Sequence, residues 1–227
     1  MNKADPAARA ALTLGGAFLV GAIPFANIIA RVSVGQDLRL VGGGTVSSTA
    51  VYGIAGRQAF AASCVLDMAK GALAISLADG CDPALVAAAA GLAVAGHNWS
   101  PFLRGAGGRG VLPGIGVLSI AAPSGGALLL GGLVMGWAAN DTGLGCFAAQ
   151  CLLIPVLART RGKSGVMLAA AIAAPMLLKR MVGDRPPAAS ARSRTGWAYL
   201  SRVLYDRDDR PGFRACQPLP TQTGSAI

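Results

Sequence analysis

The stretch GHNWSPFLRGAGGRG, residues 96–110, holds the chain's single histidine and two arginines among five glycines. On one side lies ALVAAAAGLAVA (84–95) and on the other VLPGIGVLSIA (111–121), both without a charged residue. Fifteen polar, glycine-rich residues between runs this apolar read as a loop at a membrane surface, joining two helices that face lipid. That reading extends outward in both directions. Apolar segments recur at about 10–31, 58–79, 84–102, 110–122, 126–139, 143–158 and 164–182. The fourth and fifth are short and separated by PSGG (123–126), so they are either two helices or one broken crossing.

Composition supports the same class. Of 227 residues, 53% are hydrophobic and only 13% charged, too few to coat a water-soluble domain. The 32 glycines suit helices that pack closely in lipid. The first run, ALTLGGAFLVGAIPFANIIA (11–30), is long and lacks an A-x-A cleavage site, so it reads as the first transmembrane helix and not as a signal peptide. The expected fold is an all-α, polytopic membrane bundle of about seven transmembrane helices over residues 1–183. A basic tail, 184–227, is expected to be disordered or interfacial.

Basic residues set the expected orientation. Arg31, Arg39 and Arg57 border or occupy the 32–57 connection, and Arg104 and Arg109 the 103–109 connection, whereas 80–83 carries Asp82 and no cation. The positive-inside rule places both basic loops in the cytoplasm, and seven crossings leave the tail there as well. Arg159, Arg161 and Lys163 then fall outside, against the rule. Net charge is +10, and residues 179–227 contribute nine basic and four acidic side chains. Such a tail suits anionic lipid headgroups or phosphorylated molecules, and no nucleic-acid recognition motif accompanies it. Within it, GWAYLSRVLYD (196–206) sets Trp197, Leu200, Val203 and Leu204 on one stripe, from which Arg202 and Arg207 are placed to reach headgroups. The alternative is a nascent helix with no role.

Two polar loops share one face in this topology. DLRLVGGGTVSSTA (37–50) offers Gly42, Gly43 and Gly44 with four hydroxyls, Thr45, Ser47, Ser48 and Thr49. GAGGRG (105–110) adds Gly107, Gly108 and Gly110 beside Arg109. Glycines expose backbone N–H groups, hydroxyls donate short hydrogen bonds and a guanidinium forms charge-assisted ones, so together they suit phosphate oxygens. Neither loop has the Walker spacing. His97 and Asn98 border the second loop; the histidine is a candidate base, phosphate ligand or packing group. In VLDMAKGALAISLA (65–78), Asp67 and Lys70 are three apart and share a helical face, either as a site or as a mutually neutralising pair. Five scattered cysteines without a CxxC pair, and one histidine without a glutamate, give no metal site or disulfide frame, and the thiols are expected to be free and buried. No serine or cysteine stands in a nucleophile-elbow context.

These residues, in this order, resemble the bacterial acyl-phosphate-dependent glycerol-3-phosphate acyltransferase family, PlsY, over about 15–183. LVGAIPFANIIAR (19–31) is similar to that family's first helix, which typically reads GSIPFGYLIAR; VLDMAKGAL (65–73) is similar to its second helix. GHNWSPFLRGAGGRG resembles its second motif, close to GHNFPVFLKFKGGKG, and LLKRMVGD (177–184) faintly echoes the end of its last helix. The resemblance implies a seven-helix inner-membrane enzyme, with no metal or coenzyme A, that moves an acyl group from acyl phosphate to the 1-hydroxyl of glycerol 3-phosphate, yielding lysophosphatidate for phospholipid synthesis. His97 and Arg109 would then be catalytic. Gly42, Gly43, Gly44, Thr45, Ser47, Ser48, Thr49, Lys70, Asn98, Gly107, Gly108 and Gly110 would bind substrate.

The chain also departs from the family pattern. GGGTVSSTAVYG (42–53) stands where the first motif reads GSGNIGATNVLR, so Gly43, Thr45, Ala50 and Gly53 replace a serine, two asparagines and an arginine. Ala106 and Arg109 replace two lysines, and Pro175 and Met176 lie near the place of an HREN-type motif. An arginine fork is not equivalent to a lysine point charge at a transfer site. Two readings therefore stay open: a divergent acyltransferase, or a PlsY-like membrane protein without catalysis that binds a lipid or a partner.

Overall fold

The computed structural model describes residues 5–184 and 195–206, with only the backbone of 195–199. Regular structure among them is helical: α1 Pro6–Ala22, α2 Phe25–Val34, α3 Ser48–Ser76, α4 Pro83–Asn98, α5 Val111–Ala121, α6 Pro123–Ala138, α7 Thr142–Val182 and α8 Thr195–Tyr205, with short 3₁₀ turns at Leu38–Leu40 and Pro101–Leu103. Local sequence sets most boundaries. Asp5, Asp82 and Asp141 each cap a helix by accepting from backbone N–H groups, and prolines occupy the first turns of α1, α4 and α6. Pro24 breaks the first apolar run into α1 and α2, and Ala122–Pro123 breaks the fourth from the fifth, which are two helices.

Side-chain contacts fix the direction of each pass. Arg9 donates to the Asp79 carbonyl at one end of α1 (3.2 Å), and Ser100 donates to the Ala22 carbonyl at the other (2.6 Å). The helix α4 returns beside α1, and α5 and α6 form the next hairpin. Ser124 at the start of α6 meets Thr160 of α7 (3.3 Å). The 41-residue α7 is two helices joined at Gly162, whose φ of 60° and ψ of −139° lie outside the helical region. There the chain reverses, and the second half runs along α4 so that Asn98 Nδ2 donates to the Pro175 carbonyl (2.8 Å). The bundle thus makes seven helical passes, as expected. The 35–47 and 99–110 connections lie at one end, and 77–82, 122–123 and the Gly162 reversal at the other.

Three stretches, Pro6–Val34, Ser48–Ser76 and Thr142–Val182, are long and apolar enough to cross a membrane. The 11-residue α5 spans only about 16 Å at 1.5 Å per residue, about half a bilayer core. Its mean composition is nonetheless the most apolar of the bundle, because its Pro113–Leu118 segment is buried between α3, α6 and α7. Leu12, Val65, Leu73, Met135 and Trp137 are exposed on helix surfaces, as lipid-facing side chains are in an integral membrane protein.

Several boundaries move relative to the sequence reading. The expected 32–57 loop shrinks to 35–47, because α2 runs to Val34 and α3 begins at Ser48; Gly56, at φ 78°, interrupts α3. The third segment ends at Asn98, not 102, because the 3₁₀ turn takes over. The expected burial of the thiols is also corrected: Cys146 is buried, Cys64 and Cys81 partly so, and Cys151 is exposed, all four free, while Cys216 lies outside the described residues. Within the tail, Thr195–Tyr205 forms α8. α8 packs against α7, with Ser201 and Arg202 buried and Leu200 exposed. The face it buries is therefore not the Leu200 stripe, and Arg202 donates to the Val182 carbonyl (3.3 Å) instead of reaching outward. Arg207 lies outside the described residues, and of Trp197 only the backbone is described.

In the 35–47 connection, Asp37 accepts from the Arg39 backbone N–H (3.0 Å) and side chain and pairs with Arg31. The Arg39 guanidinium, opposed by burial and helped by Arg31, holds its carboxyl well below the usual carboxylate range. A lowered folded-state pKa contributes stability above the unfolded value, near 4, that is lost as pH falls toward the folded one. Asp37→Asn is therefore expected to cost at most about 1 kcal/mol at pH 7, because Arg31 is half exposed, and to flatten the stability profile below pH 4 in acid unfolding monitored by circular dichroism.

Candidate functional site

The two glycine loops meet. Val46 N–H donates to the Gly107 carbonyl (3.0 Å), and Arg109 Nη2 lies 3.5 Å from Thr45 Oγ1. The second loop folds back over the end of α4: Gly105 N–H donates to the Ser100 carbonyl (2.9 Å), Ser100 N–H to the Ala106 carbonyl (3.2 Å) and Gly108 N–H to the His97 carbonyl (3.2 Å). Gly110, at φ 77°, starts α5 in a left-handed conformation, and a Cβ there would overlap Val94 Cγ1 and crowd Asn98 Oδ1.

The Gly107–Gly108 turn separates two polar centres. On the bundle side are Asp67, Lys70 and His97, all nearly sealed from solvent. Lys70 Nζ lies 2.9 Å from Asp67 Oδ1, donates to the Ile23 carbonyl (2.6 Å) and stands 2.9 Å from His97 Nδ1; it is also 5.9 Å above the Phe25 ring. This is the expected (i, i+3) pair, extended by a histidine from α4 and a carbonyl from the α1–α2 break. Burying such charges is costly unless they are paired; Lys70 faces Asp67 as its counter-charge, although Asp67 Oδ1 accepts no hydrogen bond among the described residues. A small cleft, lined by Lys70, His97, Ser100, Val46, Gly107 and Gly108 among others, opens beside them.

On the outer side is a second centre. Arg109 Nη1 donates to the Lys179 carbonyl (3.1 Å), while its Nε lies 2.6 Å from Asp206 and its Nη1 3.8 Å from Asp184. Asp184 also pairs with Lys179 Nζ (2.6 Å) and accepts from Gly107 N–H (3.3 Å). Lys179 stacks 5.5 Å from the Trp99 ring, and Arg180 donates to the Val203 carbonyl in α8 (3.0 Å). A carboxylate held by a glycine N–H, an ammonium and a guanidinium marks an arrangement able to hold oxyanions.

Not every residue singled out in the sequence lies here. Gly107, Gly108, Gly110, Arg109, His97, Asn98, Lys70 and Thr45 converge. Ser47 instead caps α3, accepting from Ala50 N–H (3.3 Å), and Ser48 pairs with Ser63 (2.8 Å) in the interior. Thr49, Gly42 and Gly43 are exposed, with Gly44 buried behind them. Asn98 clamps α4 to α7 through Pro175 and is fully buried. Arg57 and Arg104 are exposed. Sequence reasoning missed Lys179, Arg180, Asp184 and Asp206. The Lys-Arg pair ending an apolar helix in LLKRMVGD is the only signal that pointed to the first three; Asp206 carries none, since a folded helix from the tail brings it in.

The model of the glycerol-3-phosphate acyltransferase family matches residues 11–183. Glycerol-3-phosphate acyltransferase 4 of Dehalococcoides mccartyi strain CBDB1 is 41% identical over 108 residues, 47% of this chain and 47% of that protein. The chain thus spans about half the length of the first curated relatives it matches. Glycerol-3-phosphate acyltransferase of Roseobacter denitrificans is 33% identical over 190 residues, 82% of this chain and 92% of the relative. The crystal structure of PlsY, an integral membrane glycerol 3-phosphate acyltransferase, in its glycerol 3-phosphate form, superposes with a TM-score of 0.70 at 24% identity, covering 85% of this chain and 93% of that one. At that identity the superposition establishes the shared fold.

Proposed function

Because the chain belongs to the glycerol-3-phosphate acyltransferase family, we propose that it transfers an acyl group from acyl phosphate to glycerol 3-phosphate, releasing phosphate and lysophosphatidate. The reaction takes place at the cytoplasmic face of the inner membrane, where the 35–47 and 99–110 connections and the tail lie. Residues 1–183 form the catalytic bundle, and the basic tail meets anionic lipid. One observation carries this reading: the two glycine loops converge, through Val46 and Gly107, on a turn flanked by Arg109 and Lys179 on one side and Lys70 and His97 on the other. Both substrates bear phosphate, and a transfer of this kind asks the protein mainly for positioning and charge stabilisation. In this reading Arg109 grips phosphate oxygens, Thr45 and the Gly42–Gly44 turn border the acceptor, Gly107, Gly108 and Gly110 shape the turn, Asn98 holds its base against α7, and Ser47, Ser48 and Thr49 set the start of α3. The test is phosphate release from an acyl phosphate by purified protein in lipid nanodiscs. Release that depends on glycerol 3-phosphate supports the assignment; no release with folded protein refutes it.

The carboxylate of Asp206 stands in direct competition with any phosphate for the Arg109 guanidinium. Asp206→Asn keeps the side-chain shape and removes the charge. It is expected to lower the KM for glycerol 3-phosphate by about twofold to fivefold, the range of one partly exposed ion pair, with kcat little changed. Initial rates against acceptor concentration measure it.

A further inference from the structure

His97 is the one histidine in the chain, and its environment specifies which ring nitrogen bears the proton. Lys70 Nζ has three neighbours, the Ile23 carbonyl at 2.6 Å, His97 Nδ1 at 2.9 Å and Asp67 Oδ1 at 2.9 Å. We take the buried pair as ionised, with Asp67 the carboxylate and Lys70 the ammonium 2.9 Å from it. An ammonium has three protons and no lone pair. Nδ1 must therefore present its own lone pair to Lys70. A doubly protonated ring would set a second N–H against the ammonium, and Asp67, 3.9 Å from Nδ1, is too far to accept from it. An ionised pair therefore leaves the ring neutral, with its proton on Nε2.

Nε2 faces the opposite way, onto the glycine turn. A Cβ on Gly108 would overlap Nε2, which is why that position has no side chain. Among the described residues no group accepts from Nε2, and the ring lines the cavity that Gly107, Gly108, Ser100 and Val46 complete. We propose that Asp67 and Lys70 are positioning residues that hold His97 as an Nε2–H donor, and that this N–H binds an anionic phosphoryl oxygen in the cavity and does not withdraw a proton from the acceptor. The donor role rests on the phosphate-site reading above; the tautomer does not, since it is a property of the unliganded protein.

The experiment uses the full chain in nanodiscs with ¹⁵N-labelled histidine, where a long-range ¹H–¹⁵N spectrum reports a single ring. The expected result is a pyridine-type Nδ1 and a pyrrole-type Nε2 at neutral pH. An Nδ1–H ring, as a neutral lysine amine would produce, or an imidazolium overturns the proposal. Removing Lys70 alone strands the Asp67 charge, so the variant is Asp67→Asn with Lys70→Met. It is expected to give a mixture of tautomers, and an unchanged single tautomer overturns the positioning role. Glycerol 3-phosphate and a non-transferable acyl phosphonate are then titrated separately. A downfield shift of the Nε2 proton with either supports the donor role and identifies whose oxygen is bound. No shift with either, in protein that still releases phosphate from acyl phosphate, overturns it while leaving the acyltransferase assignment intact.

Discussion

Arg109→Ala is expected to lower phosphate release from acyl phosphate by about 100-fold or more, the usual loss when one preorganised charge donor to a transferring group is removed. The geometry explains why this residue outweighs its neighbours. Its guanidinium is the group through which the two glycine loops, the end of α7 and the α8 region meet: Thr45, the Lys179 carbonyl, Asp184 and Asp206 all lie within 4 Å of it. Removing it also frees two carboxylates beside the turn, which then repel a phosphate they formerly shared an arginine with. Lys179 continues to hold Asp184, so the fold is not expected to suffer comparably. Arg109→Lys is the informative companion. A lysine keeps the charge but cannot bond the Lys179 carbonyl and a phosphate in one plane, and an intermediate loss of about tenfold is expected. Equal activity in both variants and the native protein, with unchanged melting temperatures, would remove Arg109 from the site.

The comparison between sequence and structure turns on range. The bundle was legible because apolar runs separated by PSGG (123–126) and the 159–163 connection need no partner to be recognised, and the seven passes follow from them, whereas the break at Pro24 inside the first run was not read. The pairing of Asp67 with Lys70 was legible for the same reason, being a contact within one helix turn. His97 joining that pair was not, because 27 residues separate it from Lys70 and only the packing of α3 against α4 closes the distance. The hydroxyls of the first loop show the opposite error. Thr45, Ser47, Ser48 and Thr49 look alike as a polar cluster, yet consecutive positions entering a helix point in different directions, and Thr45 alone reaches Arg109. Likewise Lys179 and Arg180 sit where apolar helix ends commonly carry cations, so only their contacts distinguish a binding role from an anchoring one. Asp206 illustrates the limit most clearly: its carboxylate enters the site from the end of α8, in a tail whose charge reads as disordered or interfacial.

Gly116→Ala is expected to destabilise the folded protein by about 3 kcal/mol, at the upper end of the range for overpacking, and to reduce activity along with it. A Cβ at this position of α5 would overlap the Met68 carbonyl oxygen and press on Ala72 N in α3. From the other side, a Cβ on Gly71 would overlap the Pro113 carbonyl oxygen. The two helices therefore touch backbone to backbone over one turn, with nothing that can rotate away. In lipid, apolar side chains gain little by leaving one greasy surface for another, so helices associate through such close contact. Spreading α3 from α5 also displaces the turn carrying Asp67 and Lys70, and with it the partner of His97. Gly15→Ala is the control, since nothing lies within 4 Å of its would-be Cβ on α1. The same substitution there should be neutral or stabilising by up to about 1 kcal/mol through helix propensity alone. Thermal unfolding of both variants in detergent compares them directly. Equal melting temperatures would mean that α3 and α5 are not held at the separation described, and the placement of Lys70 against His97 would fall with it.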